Sequence, residues 1–208
     1  MGLTFTSSSS VYGANSILPK TEKSWVSPLS PYASSKLAGE ALIQGYAQSF
    51  GLEATIFRLF NVYGPLQRPN YEYSAVIPRW IWQAISNNHI EVYGDGTQSR
   101  DFTFVHDVID ILVNGMTKQI DLMHPINLAF GEKISLNQVI DLLKNYFPLI
   151  KVNHLSGRKS DVYHSLNNPE LIKQIFPEVI PTPFTDGFAA TLEWIRSQGT
   201  LSQYESTS

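Results

Sequence analysis

The chain has 208 residues, of which 43% are hydrophobic and 16% are charged, and its formal net charge is −3. This balance excludes the basic surface with which proteins bind nucleic acid or anionic membranes, and the absence of cysteine excludes disulfides and thiolate chemistry. Because no apolar run approaches the ~20 residues that span a bilayer and the first residues lack a signal-peptide pattern, we expect a soluble, cytoplasmic protein.

The first third of the chain predicts a strand, a helix and a second strand. LTFTSS, from Leu3, alternates apolar and polar residues as a half-buried strand does. SSKLAGEALIQGYAQSFG, from Ser34, predicts a helix that Gly51 ends. The residues predicted to share its apolar face are Leu37, Ala41 and Leu42. EATIFRLF, from Glu53, is apolar enough for a strand buried on both faces, so the order predicts a parallel crossover.

The rest of the chain predicts further helices and strands. The strands are HIEVYGDG, which ends in a Gly-Asp-Gly turn, and PINLAFG. HDVIDILVNGMTK predicts an amphipathic helix whose apolar stripe is formed by Val108, Ile111, Leu112 and Gly115. Ser135 and Gln138 have the spacing of a capping box and predict a helix N-terminus. The other helices are SAVIPRWIWQAISN and a last one from about Asp186 to Ser197, before a frayed tail at residues 199–208.

The histidines do not form a recognisable metal site. They never recur at i, i+4, and no cysteine or clustered acidic residue accompanies them. We therefore expect no metal, and surface or packing roles for the five histidines, which are His89, His106, His124, His154 and His164.

Tyr32 and Lys36 lie four residues apart at the start of the first predicted helix, so their side chains share one face. A tyrosine hydroxyl is too weakly acidic to serve as a base at neutral pH, but an ammonium within a few Å favours the phenolate. The pair could therefore take a proton from a substrate hydroxyl. Ser8, at the carboxyl end of the first strand, could hydrogen-bond the same hydroxyl. A surface tyrosine beside a solvated lysine is the structural alternative.

Further motifs follow this pair in order along the chain. The set is SSSSVYG, LPK, SPLSPYASSK, RLFNVYGP, VIPRW, VYGDGTQSRDFTFVHDV and GRKSDV. From about Leu3 to Leu166, it resembles the extended short-chain dehydrogenase/reductase family of nucleotide-sugar epimerases and dehydratases. The resemblance implies an α/β fold with a partial Rossmann-type parallel sheet and a smaller α+β substrate-binding lobe. It also implies NAD as cofactor and a UDP-sugar as substrate.

The resemblance implies roles for individual residues. Ser8, Tyr32 and Lys36 match the catalytic Ser/Thr, the base and the ribose-binding lysine. The residues that match cofactor-binding positions are Thr6, Ser7, Tyr32, Lys36 and Phe60. The residues that match substrate-binding positions are Ser8, Ser9, Asn61, Val76, Tyr93, Arg100, Arg158, Asp161 and Ser165. The two arginines would clamp the diphosphate, because a guanidinium binds phosphate oxygens bidentately, and Tyr93 would lie beside the uracil.

Two positions narrow the reaction that the resemblance implies. Family dehydratases and decarboxylases typically carry acidic residues just after the catalytic Ser/Thr, where this chain has Ser9 and Ser10, which cannot act as carboxylic acids. A 4-epimerase is therefore expected, with transient oxidation at the sugar C4 by NAD while Tyr32 takes the hydroxyl proton. Ser165 stands where some glucose/galactose epimerases carry a tyrosine, and a serine leaves space for an N-acetyl group. NYEYSAVIPRW and GRKSDVYHS are similar to bacterial UDP-N-acetylglucosamine 4-epimerases, so that sugar is the expected substrate.

The family's phosphate-binding turn does not occur in this sequence. None of the 13 glycines falls at the spacing G-x-x-G-x-x-G or G-x-G-x-x-G behind a strand, and the acidic residue that binds the adenosine ribose is missing as well. Relative to the family, the first four strands are expected to be missing. The explanations that we consider are a shortened chain or gene remnant, a split gene whose other product supplies the first half, and a complete protein that kept sugar-nucleotide binding and lost NAD.

The expected organisation has two parts and a tail. Residues 1–64 would be a remnant of the NAD-binding domain, and residues 65–198 a substrate lobe whose segment around 106–130 returns to the Rossmann sheet. An apolar sheet edge would be left open, so we expect the chain to self-associate or to pair with a complementary half. The alternative functions are a nucleotide-sugar-binding fragment or pseudo-enzyme without hydride chemistry, and a dehydratase or decarboxylase.

Overall fold

A computed structural model describes residues 2–69, 75–118, 120, 124–157 and 163–198. The strands are β1 (Leu3–Ser8), β2 (Ala54–Leu59), β3 (Val62–Tyr63), β4 (His89–Tyr93), β5 (Ser99–Asp101), β6 (Thr103–Phe104), β7 (Ile126–Leu128), β8 (Lys133–Ser135) and β9 (Lys151–Leu155). The helices are α1 (Pro31–Phe50), α2 (Val76–Asn87), α3 (Val105–Thr117), α4 (Leu136–Tyr146), α5 (Glu170–Ile175) and α6 (Phe184–Ser197), and a 3-10 turn spans Ser9–Tyr12. No helix within these described ranges is long and apolar enough to cross a membrane.

The largest sheet among the described residues has three parallel strands in the order β1–β2–β7. Its registers place Leu3 beside Ala54 and Phe57 beside Ile126. β2, the central strand, is buried along almost its whole length, as is typical of a strand covered on both faces. The predicted α/β class with a parallel sheet is confirmed, and so are the strand, helix and strand predicted for the first third of the chain.

α1 begins and ends at local signals in the sequence. Ser30 accepts a hydrogen bond from the N–H of Ala33 as the N-cap, and Pro31 occupies the first turn, where its missing N–H leaves no bond unmade. Gly51 ends the helix in the left-handed region (φ 69°) and donates its N–H to the Ala47 carbonyl. The predicted stop at Gly51 is confirmed.

The apolar face predicted for α1 is wrong at two of its three residues. Ala41 is exposed and Leu42 is 64% exposed, whereas the fully buried residues of this helix are Ala33 and Glu40. The physical reason is an ion pair between Glu40 and Arg58 of β2 on the side that faces the sheet. A search for apolar periodicity does not find a helix face that is anchored by a buried charge.

α3 encloses a core with β2 and β7. Of its predicted stripe, Val108, Ile111 and Gly115 are buried and Leu112 is partly buried, so that prediction is confirmed. The stripe belongs to one apolar cluster with residues from β2, β7 and the region of α5, which are Phe57, Ile126, Leu128, Ile172 and Phe176.

A second core joins α2, α4 and α6 to the parallel pair β4–β9. At its centre Trp80 is fully buried and donates its Nε1–H to the Glu91 carbonyl at 2.9 Å. β5 and β8 form an antiparallel pair beside this core. The capping box of Ser135 and Gln138 at the start of α4 is confirmed. The sequence patterns do not predict the short strands β3, β5, β6 and β8, the strand β9 or the helix α5.

Candidate active site

The carboxyl end of β1 leads directly into a serine-rich turn. Ser8 caps this 3-10 turn: its Oγ accepts from the N–H of Ser10 at 3.2 Å and donates to Ser10 Oγ at 3.1 Å. Gly13 ends the turn at φ 45°, and a Cβ there would lie 1.8 Å from the Ser27 carbonyl oxygen. Only glycine fits this close approach, so the backbone after Ser8 is held in a tight turn.

Lys36 reaches from α1 to the edge of β1. The Leu3 N–H donates to the Glu53 carbonyl beside β2, and because alternate residues of a parallel strand bond to opposite sides, the backbone groups of Thr6 face the other edge. Lys36 Nζ donates to the Thr6 carbonyl at 2.9 Å and lies 5.8 Å from the ring centroid of Tyr32. Tyr32 is 56% exposed. The structure thus brings Tyr32, Lys36 and Thr6 together at the edge of β1 that pairs with no other strand among the described residues.

A buried polar network that sequence reasoning missed lies behind this group. Arg58 donates to both carboxylate oxygens of Glu40, at 2.9 and 2.6 Å, and to the Tyr12 hydroxyl at 2.9 Å. Ser7 Oγ donates to Glu40 at 2.5 Å, so its hydroxyl faces α1. The Tyr12 hydroxyl donates to Asn127 Oδ1 at 2.7 Å, which links β7 to the network.

Burial and hydrogen bonding act in opposite directions on this network. Burial raises the pKa of Tyr12 against the lowering effect of Arg58. Burial alone would lower the pKa of Arg58, but its hydrogen bonds to Glu40 and the proximity of Tyr12 and Glu40 raise it above the ordinary value. The Arg58 guanidinium therefore stays charged and Tyr12 stays neutral, which suits a structural role for both side chains.

A cavity of about 190 Å³ adjoins the serine-rich turn. Its wall includes Ser9 and Ser165, which are predicted to bind substrate, and Phe60. Phe60 is fully buried, and its ring centroid lies 6.3 Å from that of Tyr12. The complete described lining is Ser9, Ser10, Tyr12, Gly13, Asn15, Lys20, Phe60, Asn61, Arg100, His164 and Ser165.

A second cleft, of about 280 Å³, lies between α2, β4 and β5. It contains the predicted substrate-binding residues Val76 and Tyr93, and the Arg79 guanidinium lies 5.9 Å from the Tyr93 ring centroid. Asn61 and Arg100 line both the cavity and the cleft. These two side chains therefore stand where the two spaces adjoin.

Asn61 is held by contacts from two directions. Its backbone has a positive φ of 35°, which asparagine tolerates better than most residues. Its Nδ2 donates to the Asp101 carbonyl at 3.0 Å and to Ser165 Oγ at 3.3 Å.

Arg100 Nη1 donates to the carbonyls of Ser99 and Tyr163, at 2.9 and 3.1 Å. Two of the predicted site residues, Arg158 and Asp161, lie outside the described residues.

Several residues that line the cavity are not predicted from the sequence as site residues. Lys20, which belongs to the LPK motif, is buried, and its Nζ donates to the carbonyls of Asn15 and Ile17, at 2.5 and 2.6 Å. Burial lowers the pKa of Lys20. His164, for which a surface or packing role was expected, lies in the cavity wall, and its Nδ1 is 2.8 Å from Ser99 Oγ. Burial of a charged side chain in an otherwise polar loop could not be read from composition.

The donors that could hold a cofactor are those at the open edge of β1. Lys36 and Tyr32 offer an ammonium and a hydroxyl suited to a ribose, and Phe60 offers an aromatic surface in the cavity wall. Among the described residues, no group of three or more His, Cys, Asp or Glu side chains could hold a metal ion.

Residues 2–129 match the model of a family described as "NAD dependent epimerase/dehydratase family". Among curated relatives, an uncharacterized UDP-glucose epimerase of Bacillus subtilis is 36% identical over 161 residues, which are 77% of this chain and 46% of that protein. A UDP-glucuronate 4-epimerase of Thermodesulfobacterium geofontis is 31% identical over 92% of this chain and 58% of that protein. A UDP-glucuronic acid decarboxylase of Xenopus tropicalis is 27% identical over 94% of this chain and 47% of that protein. The chain spans about half the length of these relatives.

Similar solved structures include 4-epimerases and a dehydratase of nucleotide sugars. A UDP-N-acetylglucosamine 4-epimerase from Methanobrevibacter ruminantium, in complex with UDP-N-acetylmuramic acid, superposes with a TM-score of 0.88 at 32% identity, over 94% of this chain and 63% of that one. An NAD-dependent NDP-hexosamine 5,6-dehydratase has a TM-score of 0.84 at 33% identity, over 93% and 62%. A UDP-glucuronic acid 4-epimerase from Bacillus cereus, bound to UDP-glucuronic acid and NAD, has a TM-score of 0.83 at 29% identity, over 93% and 61%.

Proposed function

Because the chain belongs to the NAD-dependent epimerase/dehydratase family, we propose that it is the catalytic and substrate-binding part of a nucleotide-sugar 4-epimerase of the UDP-N-acetylglucosamine or UDP-glucose type. One observation carries the proposal: two adjoining spaces share Asn61 and Arg100, and one of them adjoins the turn that follows Ser8. A nucleotide sugar has the same two-part form, with its diphosphate between the base and the sugar.

The two spaces suit the two ends of such a ligand. Arg100, shared by both, would bind the diphosphate, because a guanidinium pairs well with phosphate oxygens. The cleft with Tyr93 and Val76 would take the uridine, and the cavity with Ser9 and Ser165 would take the sugar. The roles of Arg158 and Asp161 remain proposals from the family resemblance.

Part of an NAD site fits the described residues. Lys36 and Tyr32 would hold the nicotinamide ribose, Phe60 would lie against the nicotinamide, and Thr6 and Ser7 would form the adjacent backbone. NAD, when bound, supplies a reversible hydride acceptor. The glycine-rich turn that binds the pyrophosphate is not in this sequence, so the remainder of the site would come from other residues or another chain.

Proton transfer is the task of this chain's own residues. Tyr32 would accept the C4 hydroxyl proton of the sugar and return it later, with the Lys36 ammonium 5.8 Å from its ring centroid. Ser8 would hydrogen-bond the same hydroxyl. The cavity wall, lined by Asn15 and Ser165 among other polar side chains, would offer hydrogen-bond partners in more than one direction, which suits a sugar that must turn over.

Epimerisation is favoured over dehydration or decarboxylation because the described cavity wall has no carboxylate that could act as an acid. Dehydratases need an additional acid beside the sugar, yet Ser9 and Ser10 line the cavity, and no carboxylate lines it among the residues that the structure describes. The relatives named as a dehydratase and a decarboxylase keep both activities as candidates. Ser165, which is small and lies in the same wall, supports an N-acetylated sugar.

A partner or a second copy would cover the open side of β1. Within the described part of the chain, β1 pairs with β2 alone, so the backbone groups of Thr4 and Thr6 face an unpaired edge. α1 carries an exposed apolar stripe, which consists of Leu42, Tyr46 and Phe50 at 64%, 56% and 78% exposure. We propose self-association, or pairing with a complementary chain, through these surfaces.

A second candidate function is nucleotide-sugar binding without turnover. The cavity and cleft are built from the described residues, whereas the glycine-rich turn for NAD is not in the sequence. A chain that binds the sugar nucleotide without NAD would act as a binding module.

The deciding experiment separates these candidates on purified chain. NAD released on denaturation would be quantified, UDP-N-acetylglucosamine affinity measured by calorimetry, and the 4-epimer detected by chromatography. Stoichiometric NAD with formation of the 4-epimer would support the epimerase. Sugar-nucleotide binding without NAD would support the binding module, and binding of neither would overturn both.

A further inference from the structure

Asp101, the last residue of β5, has an ionisable side chain that is completely buried. It follows Arg100 directly, and its exposure is 0%. Its Oδ2 accepts from the N–H of Asn167 at 2.9 Å and from the N–H of Gly131 at 3.1 Å. Burial raises the pKa of Asp101 to about 6, although backbone N–H groups of Asn167, Gly131 and Glu132 act to lower it. One carboxylate oxygen therefore joins two segments that are distant in sequence.

The first of these segments is the loop after β7. Gly131 has φ 82°, and a Cβ there would lie 3.0 Å from Pro169 side-chain atoms and 3.2 Å from the Asn167 carbonyl oxygen. Asn167 Nδ2 also donates to the Ala129 carbonyl at 2.8 Å. The two segments are thus in contact at Gly131, where a side chain would be crowded. The Asp101 carboxylate accepts hydrogen bonds from both segments at this contact.

The second segment carries part of the cavity wall. His164 and Ser165 both line the cavity, and the Ser165 N–H donates to the Ser99 carbonyl at 3.0 Å. Asn167 lies two residues after Ser165, so the hydrogen bond from the Asn167 N–H to the Asp101 carboxylate fixes the position of this part of the wall.

Asp101 also holds the opposite side of the wall through its backbone. Its carbonyl accepts from Asn61 Nδ2 at 3.0 Å, and the same Nδ2 donates to Ser165 Oγ at 3.3 Å. One residue therefore sets both Asn61, through its main chain, and the segment with Ser165, through its side chain.

We propose that Asp101 is a positioning residue that sets the spacing of Asn61 and Ser165 across the sugar cavity, and so contributes to sugar recognition without touching the sugar. The inference rests on the proposed function insofar as the cavity takes the sugar. None of the described residues that line the cleft with Tyr93 lies in the segment from 163 to 167, so the loss of the Asn167 contact should affect binding of the sugar more than binding of the nucleotide.

The test replaces the carboxylate by the isosteric amide, Asp101→Asn. The loss of a charged acceptor for two amides should lower the affinity for UDP-N-acetylglucosamine roughly tenfold, and the affinity for UDP by less than about twofold, both by calorimetry. Asp107→Asn is the matched control. Asp107 is also buried, its carboxylate accepts from the N–H and hydroxyl of Thr182 at 3.0 and 2.7 Å, and it lines neither space. This control should leave both affinities unchanged.

Equal losses for UDP and the UDP-sugar, or no loss for either, would overturn the proposal. Gly131→Ala provides a second route if Asp101→Asn does not fold, because the added methyl group would press the two segments apart from the other side. It should show the same selective loss for the sugar.

Amide hydrogen exchange on the ligand-free chain tests the clamp independently. The amides of Asn167 and Gly131 should exchange at least about tenfold faster in Asp101→Asn, while the amide of Thr182 stays unchanged. Unchanged exchange at Asn167 would overturn the clamp. A wild-type chain that binds neither UDP nor UDP-sugar would instead overturn the proposed function, with the exchange result still deciding the clamp.

Discussion

Glu40 of α1 and Arg58 of β2 form a buried bidentate ion pair, with Nη2–Oε2 at 2.6 Å and Nε–Oε1 at 2.9 Å. Glu40 lies one helical turn after Lys36, so the pair fixes the face of α1 from which Lys36 reaches β1. Because Ser7 Oγ donates to the same carboxylate, the strand that ends at Ser8 and the helix that carries Tyr32 share one anchor.

Breaking this ion pair should be strongly destabilising. Arg58→Met leaves the Glu40 carboxylate buried without its partner, which costs about 3–5 kcal/mol in comparable cases. The free energy of unfolding from urea titrations measures the loss. Lys118→Met is the control, since the Lys118–Glu178 pair is about half exposed and solvent screens it, so its removal should change the free energy of unfolding little. Similar losses for the two variants would contradict the structural role of the Glu40 anchor.

Tyr32→Phe should lower the turnover rate strongly and preserve binding. Removing a general base typically lowers the rate by about 10²–10⁴-fold, whereas the exposed Tyr32 side chain contributes little to folding. Chromatographic detection of the 4-epimer gives the rate, and calorimetry gives the affinity for UDP-N-acetylglucosamine. Tyr46→Phe, on the same helix but outside the site, should retain activity. An active Tyr32→Phe enzyme would exclude Tyr32 as the base.

Ser165→Tyr should change the sugar preference. Ser165 lines the cavity of about 190 Å³, and a tyrosine there would fill the space proposed for an N-acetyl group. The affinity for UDP-N-acetylglucosamine should fall at least about tenfold relative to that for UDP-glucose. Ser165→Ala, which removes the hydroxyl without adding bulk, serves as the control and should leave this ratio within about threefold. An unchanged ratio in Ser165→Tyr would place the 2-substituent elsewhere.

Stability should depend on the ionisation of Asp101. Its pKa is raised from 3.8 to about 6 by burial, so between these values the folded chain holds a proton that the unfolded chain has released. This contribution to stability is present below about pH 4 and is lost as the pH rises through 6. Relative to Asp101→Asn, the wild-type unfolding free energy should therefore fall by about 2 kcal/mol between pH 4 and pH 7. Parallel pH profiles of the two proteins would refute the raised value.

The exposed stripe of α1 should determine the oligomeric state. Charged substitution at its centre, Tyr46→Glu, should shift the chain towards monomer in light scattering behind size exclusion, because a carboxylate resists burial in an apolar interface. Ile180→Glu is the control, since Ile180 is 86% exposed and belongs to the segment between α5 and α6. A wild-type chain that is monomeric and well folded at all concentrations would contradict self-association.

Local patterns predicted much of the fold correctly. The structure confirms the strands that begin at Leu3 and Ala54, the helix end at Gly51 and the capping box of Ser135. Each of these features depends on residues that are neighbours in the chain. The prediction that Leu42 belongs to the buried face of α1 is wrong, because the face towards the sheet is the one that carries the Glu40–Arg58 ion pair. Hydrophobic periodicity contains no information on such a contact.

The sequence by itself determined the family, the α/β class and the residue types that the proposed chemistry needs, because these depend on motif order and short spacings. Tertiary structure alone decided which of them meet. Asn61 contacts Ser165 across more than a hundred residues, and Asp101 joins Gly131 to Asn167. These contacts exist only because parallel strands and their loops bring distant segments to one edge of the sheet, and buried polar groups must find partners there.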